Sequence, residues 1–296
     1  MMTLPPPLSN TGVTYDLVII TRFVMLKSFK DLFVFDAYTV TIEASPIDVF
    51  DYLSNALLLS LEPAKSSLGY DYSYRIFSGA DSVGFLQYGG DNTGGRVYVS
   101  ILGSYSHIFY GHISKSDFVY YVVRADVKFD YIGSDVFDKL YSKLVTLAKQ
   151  KFLKTSLVGD WVQQNDGRTL YIGSRSSVYM LRMYEKFKQT QLLTSEEVCR
   201  LELEVKPKGE QRLRAREFTP LDFISSCGWA SEFFNSLNFG VDVIPALGTI
   251  RKQTDHERSY AWLKKQYLTT LRKQFDIVGG CEKTFINDLL GLNDDD

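Results

Sequence analysis

RADVKFD (Arg124–Asp130), LRMYEK (Leu181–Lys186) and CRLELEVK (Cys199–Lys206) are the three runs on which the reading of the fold turns. In each, charged or hydroxyl-bearing side chains alternate with apolar ones at a period of two. Side chains two apart in a strand point the same way and stand about 6.5–7 Å from each other. Arg124, Asp126, Lys128 and Asp130 therefore share one face, against Ala125, Val127 and Phe129. Arg182, Tyr184 and Lys186 share another, while Leu181, Met183 and Glu185 point away. Arg200, Glu202, Glu204 and Lys206 share a third, against Leu201, Leu203 and Val205. One face on a core and one in water is the habit of antiparallel sheets. Taken one strand at a time, these are amphipathic strands with solvated polar sides.

Working outward, more strands are expected at Phe35–Ile42, Ser73–Phe77, Gly84–Gly89, Arg96–Gly103, Val119–Asp130, Arg168–Gly173, Val178–Lys186 and Cys199–Pro207. The Gly-rich GGDNTGG (Gly89–Gly95) has hairpin-turn composition. No Lys-Ser/Thr follows it, so it is not a phosphate cradle. Helical spacing runs over Ile47–Leu61, after the cap pair Ser45-Pro46, and over Ser134–Gln150. Beyond Pro220 the chain turns helical, and Ser259–Phe275 places Tyr260, Leu263, Tyr267, Leu271 and Phe275 on one face. Three parts follow: a loosely ordered leader (1–30), a sheet-rich domain (31–220) and a helical C-terminal segment (221–296). Met25 is an alternative start. No internal repeat appears. The fold class is α+β, an antiparallel central sheet with flanking helices.

Composition sets limits. The 296 residues are 45% hydrophobic and 23% charged, and mean hydropathy is -0.10, as in ordinary globular proteins. Nineteen Tyr and twenty Phe favour a sheet-rich fold. A net charge of -2 excludes binding nucleic acid through a globally basic surface, so any DNA site is built from local clusters. Cys199, Cys227 and Cys281 show no CxxC spacing, which speaks against zinc and for reduced cytoplasmic thiols. The apolar stretch Leu17–Leu26 is too short to span a bilayer and is broken by Arg22.

The kinds of residue that recur on the polar faces carry more. Carboxylates on two strands suit a hard divalent cation such as Mg²⁺ or Mn²⁺. A Tyr flanked by Arg and Lys is expected to lean toward phenolate, which a phenol with a reference pKa near 10 needs if it is to attack. Together these parts suit phosphodiester transesterification.

The run GRTLYIGSRSSVYMLRMYEKFKQ (Gly167–Gln189) resembles the signature of the trans-acting Rep family, initiators of small rolling-circle plasmids with relatives among filamentous-phage replication proteins and conjugative relaxases. Tyr171, Gly173, Arg175 and Ser177 match the family's turn, and Arg182, Tyr184 and Lys186 its strand. RADVKFD resembles the family's Arg-x-Asp strand and CRLELEV its Arg-x-Glu-x-Glu strand. QYGG (Gln87–Gly90) and VYVSILG (Val97–Gly103) look like the phage branch. The resemblance spans about Phe35 to Trp229. Ala125 departs from the larger aliphatic residue usual there, on the face away from Asp126.

The resemblance implies that Tyr184 is the nucleophile, forming a 5′-phosphotyrosine and a free 3′-OH. Arg182 and Lys186 would stabilise the phosphate, and Asp126, Glu202 and Glu204 would be ligands of Mg²⁺ or Mn²⁺. DNA contacts are expected from Arg175, Arg124, Lys128, Lys264 and Lys265. The expected partners are origin DNA, double-stranded and extruded single-stranded, a host polymerase and a second copy of the chain. With no Walker loop, strand separation falls to a host helicase. No membrane is expected, and the place is the cytoplasm.

Other residues are set aside. Tyr179 lies five before Tyr184, on the opposite strand face, and reads as core, so one nucleophile suffices. His107, His112 and His256 lack a His-hydrophobic-His motif and read as surface residues. Ser176 and Ser177 have no triad around them. Lys206–Arg216 and Arg251–Lys273 are basic clusters, the second with seven basic residues against two acidic ones; phosphate contact competes there with a solvated helix face. The rival readings are a relaxase of a conjugative or mobilisable element and a catalytically idle DNA-binding regulator on the same fold. A tyrosine recombinase lacks its Arg…His-x-x-Arg…Tyr arrangement.

Overall fold

The computed structural model describes residues 32–91, 93–186, 188, 197–247 and 255–291. The leader expected at 1–30 lies outside them.

Alternating residues pair into one ten-stranded sheet. Its strands are β1 (Val34–Ile42), β2 (Ser60–Ala64), β3 (Tyr72–Ser78), β4 (Asp81–Tyr88), β5 (Val97–Leu102), β6 (Tyr120–Gly133), β7 (Thr155–Gly159), β8 (Arg168–Gly173), β9 (Tyr179–Glu185) and β10 (Glu197–Val205). Their order across the sheet is β2-β3-β4-β5-β1-β6-β10-β9-β8-β7. Every neighbouring pair is antiparallel. The protein is α+β.

That order contains a repeat. β1 is followed by a helix, then by a meander that starts at one sheet edge and returns, through β2, β3, β4 and β5, to pair with β1. β6 is followed by a helix, then by β7, β8, β9 and β10, which return from the other edge to pair with β6. The two halves meet where β1 and β6 run antiparallel. No repeat is visible in the sequence, because strand pairing asks only for an apolar alternate position and not for the same residue.

Helices α1 (Pro46–Ala56), α2 (Tyr105–Ile113), α3 (Val136–Gln150), α5 (Pro220–Ser225) and α6 (Gly228–Asn235) pack against the apolar face, and the short α4 (Gln211–Arg214) precedes α5. Phe35 of β1 meets Tyr110 of α2 and Phe223 of α5, and Phe129 of β6 meets Phe234 of α6, at ring separations of 4.7–5.9 Å. Tyr38, Phe137, Leu140, Leu144, Met183 and Leu201 are buried among them. α1 ends earlier than its spacing suggests: Leu58 takes a left-handed φ of 56°, and Ser60–Ala64 becomes an edge strand. Pro63 is tolerated there because an edge residue need not donate to a neighbour. β7, exposed along its whole length, is the opposite edge and has no alternation to reveal it.

The described residues fall into two compact units that divide between 248 and 249. α5 and α6 bury Phe223, Ile224, Phe233 and Phe234 in the first unit's core. The second unit pairs α7 (Asp255–Ile277) with α8 (Glu282–Leu290). There Phe275 meets Phe285 edge-on at 5.5 Å, and Gln274 bonds Asp288 at 2.8 Å. No helix among the described residues is long and apolar enough to cross a membrane.

Candidate active site

The three charged strands lie side by side, with β10 between β6 and β9. Registers set the rows. Glu204 faces Asp126 across β6, Glu202 faces Lys128 there and Arg182 across β9, and Arg200 faces Asp130 on one side and Tyr184 on the other. Gly173 turns β8 toward β9: its φ is +96°, and a Cβ there would lie 2.7 Å from Tyr179 O. The turn beyond is closed by Ser177 N donating to Ser174 O at 2.8 Å, and Arg175 stands exposed on it.

Asp126, Glu202 and Glu204 are buried, with 2%, 2% and 5% of their surface exposed. Buried carboxylates need partners, and every oxygen of the three has one. Arg124 donates to both Asp126 oxygens at 2.7 and 2.5 Å and lies 3.0 Å from Glu204 Oε2. Lys206 Nζ meets Glu204 Oε1 at 2.6 Å. Arg182 donates to Glu202 Oε2 and lies 3.4 Å from Asp126 Oδ2. The Tyr184 hydroxyl donates to Glu202 Oε1. Burial raises the carboxyl pKa of both Asp126 and Glu202, more than their arginines lower it.

Tyr184 is half-buried, and its hydroxyl does not lean toward phenolate as its sequence neighbours suggest. Burial pushes its pKa well above the ordinary phenol value, and the bond to Glu202 adds to this. The cation that pulls it down is Arg200, from the facing strand. Arg182 is turned instead onto the carboxylates, and Lys186 Nζ sits 6.0 Å from the Tyr184 ring centre.

Four further residues join the cluster: Arg200, Asp130, Asp36 and Lys128. Arg200 clasps Asp130 at 2.5 and 2.7 Å and lies 3.8 Å from Asp36. Lys128 Nζ meets Asp36 at 2.6 Å. Burial opposes ionisation of Asp36, but Lys128 and then Arg200 hold its pKa below the usual value. Arg200 and Asp130 lie on faces the alternation identifies. Asp36 has no such signal, because a register shift between Phe35 and Ala37 breaks the period where it stands.

Among the described residues no three of His, Cys, Asp and Glu gather into a group able to hold a cation. Asp126, Glu202 and Glu204 are oxygen donors of the right kind, but guanidinium, ammonium and phenol already occupy their oxygens. The divalent cation does not fit this arrangement.

The remaining residues fall elsewhere. Tyr179 is buried on the opposite face of β9, where its hydroxyl donates to Ser226 Oγ at 3.2 Å and accepts from Leu247 N at 2.8 Å. His107, His112 and His256 are exposed. Cys199 and Cys227 are buried and free, and Cys281 is exposed and free. Lys264 belongs to α7, its Nζ 4.4 Å from the Tyr260 ring centre. The side chain of Lys265 lies outside the described residues.

A family model described as replication initiation factor matches residues 135–290, more than half of the chain. The chain belongs to this family, the trans-acting Rep family. The matched residues take in β8, β9 and β10 and begin after Arg124–Asp130. The Rep chain is also similar to the structure of a rolling circle replication initiator protein from Geobacillus stearothermophilus, with 19% identity, 59% of this chain and 74% of that chain covered, and a TM-score of 0.44. That distance assigns no residue a role. No curated protein matches the chain.

Proposed function

We propose that this Rep protein starts rolling-circle replication by nicking and later closing one strand of its origin through Tyr184. The observation that carries the reading is the Tyr184 hydroxyl donating to the buried carboxylate of Glu202, beside Arg182 on the same sheet face. A nucleophile within hydrogen-bond reach of a base is what covalent catalysis by a phenol requires. Glu202 takes the phenol proton as Tyr184 Oη bonds to the scissile phosphorus. The bond from phosphorus to the 3′ oxygen breaks, leaving a 5′-phosphotyrosine and a 3′ end that takes a proton from water. Arg182 and Lys186 offset the charge gathering on the phosphate. Arg200 does the same at the phenol oxygen. Closing runs these steps in reverse, with the 3′-OH attacking the phosphotyrosine.

These steps use only the chain's own groups. Mg²⁺ or Mn²⁺ remains the cofactor that the resemblance implies. Origin DNA is the partner. A host helicase, a host polymerase and a second copy complete the proposed assembly.

The experiment incubates the protein and a Tyr184→Phe variant with a supercoiled origin plasmid and Mn²⁺. The wild type relaxes the plasmid and carries a covalent DNA adduct, and the variant does neither. Equal relaxation by both removes Tyr184 as the nucleophile.

A further inference from the structure

Helices cover the apolar face of the sheet, whereas the face that carries Tyr184 continues past the acid cluster into the other half of the sheet. Registers trace it. Arg124 of β6 stands opposite Thr39 of β1, Thr39 opposite Ser100 of β5, Ser100 opposite Phe85 of β4, and Phe85 opposite Arg75 of β3. Directly opposite residues of antiparallel strands share a face, and the Thr39 and Ser100 hydroxyls meet on this one at 2.8 Å. Leu102, two residues beyond Ser100, joins them. Tyr121, opposite Thr41, lies on the same face one row along.

This stretch differs in kind from the acid cluster. Phe85 and Leu102 are 37% and 44% exposed. Arg75 is exposed too and sits 6.0 Å from the Phe85 ring centre. Arg96 lies 4.1 Å from the Tyr121 ring centre and is held by Glu43 at 2.7 Å. A ring and a guanidinium plane each offer an unpaired base a flat contact, and a guanidinium charge beside them meets the strand's phosphate. The face is also continuous with the site. β4 lies five strands from β9, about 24 Å at the usual strand spacing. The way between crosses Arg182 and Arg124, whose side chains are 30% and 36% exposed.

We infer that the half of the sheet face around Phe85 is a stacking platform for single-stranded DNA, on which bases beyond the scissile phosphate rest while Arg75 pairs with the backbone. The inference rests on the proposed function in one respect, that the strand reaches this face from Tyr184. Bases in a duplex are covered by their neighbours, so the platform selects an opened strand. Every base has a π-face, so it holds that strand whatever its sequence.

The test follows the anisotropy of a fluorescein-labelled, random-sequence single-stranded oligonucleotide, and of a duplex of the same length, titrated with the full chain. Phe85→Ala is expected to weaken single-strand binding about 5–150-fold, the range for one lost stacking partner, and to leave duplex binding unchanged. Phe85→Trp restores it. Arg75→Gln lowers the slope of log affinity against log salt by about 0.7, the share of one phosphate on a single strand. Unchanged single-strand affinity in a folded Phe85→Ala variant overturns the inference, as does an equal loss for both DNA forms. A dimer that Phe85→Ala dissociates in sedimentation, with DNA affinity intact, gives the face to a second copy and overturns it too. If Phe85→Ala does not fold, photocrosslinking of the wild type to a 5-iodouracil oligonucleotide decides: adducts on the peptides holding Phe85 or Tyr121 support the platform, and adducts confined to other peptides overturn it. A Tyr184→Phe variant that still nicks sinks the proposed nucleophile and leaves the platform standing. Loss of nicking in that variant, with single-strand affinity indifferent to Phe85, sinks only the platform.

Discussion

The Tyr184 hydroxyl reaches Glu202 diagonally, from β9 to β10, although the residue directly opposite Tyr184 is Arg200 and the residue directly opposite Glu202 is Arg182. Glu202 and Tyr184 thus each have an arginine as a cross-strand neighbour and one another as the diagonal one. Diagonal side chains in a sheet are within reach of long residues. This offset lets one carboxylate hold the phenol and a guanidinium at once.

If Glu202 is the base, Glu202→Gln lowers single-turnover strand cleavage by about 10²–10⁴-fold, the range for a lost proton acceptor. The pH profile carries a second sign. The carboxyl pKa of Glu202 is raised above 4.5, so its proton-accepting form is lost as pH falls through that raised value. The acid limb of cleavage therefore lies above pH 4.5 and is absent from the residual activity of the variant. Rapid-quench rates across pH check both. A variant that cleaves at the wild-type rate would remove Glu202 from proton transfer.

On the apolar side of β9, Glu185 and Arg168 form a buried pair, 3% and 5% exposed, with a 2.9 Å bond between them. Glu185→Gln leaves the guanidinium short of a counter-charge and is expected to cost about 3–5 kcal/mol. Burial opposes ionisation of Glu185, but its bonds to Arg168 hold its pKa below the ordinary 4.5. The pair's stabilisation is thus complete above pH 4.5 and is lost as pH falls through the lowered value. Urea unfolding of wild type and variant should differ most at neutral pH and converge in acid. A constant difference would show that the charge is not what matters.

Gly173→Ala places a methyl 2.7 Å from Tyr179 O at a φ of +96°. The strain is expected to cost more than about 1 kcal/mol. Because Gly173 pairs with Met180, relief of the clash shifts β9, so cleavage falls with stability. A urea midpoint equal to the wild type's would show that the hairpin accommodates a side chain.

For α7, the prediction is electrostatic. Lys264→Gln and Lys265→Gln together flatten the slope of log affinity against log salt by roughly 0.7–0.9 for each phosphate that a lysine no longer neutralises. Titrations of origin DNA at several salt concentrations measure it. An unchanged slope takes α7 away from the phosphates.

The period-two alternation in RADVKFD, LRMYEK and CRLELEVK determined that three strands exist, which residues share each face, and that Tyr179 and Tyr184 point opposite ways. These are local consequences of strand geometry, fixed by each segment alone. The turn residues around Gly173 were legible for the same reason. What no segment could state is which strand lies beside which. Tertiary structure put β10 between β6 and β9, brought Asp36 in from the other half of a doubled sheet through a broken register, and gave every oxygen of the acids a cationic or phenolic partner. It also reversed the expectation for Tyr184. The sequence shows charges spaced along a chain, whereas a phenol's acidity depends on burial and on the groups nearest in space, and those are set by packing.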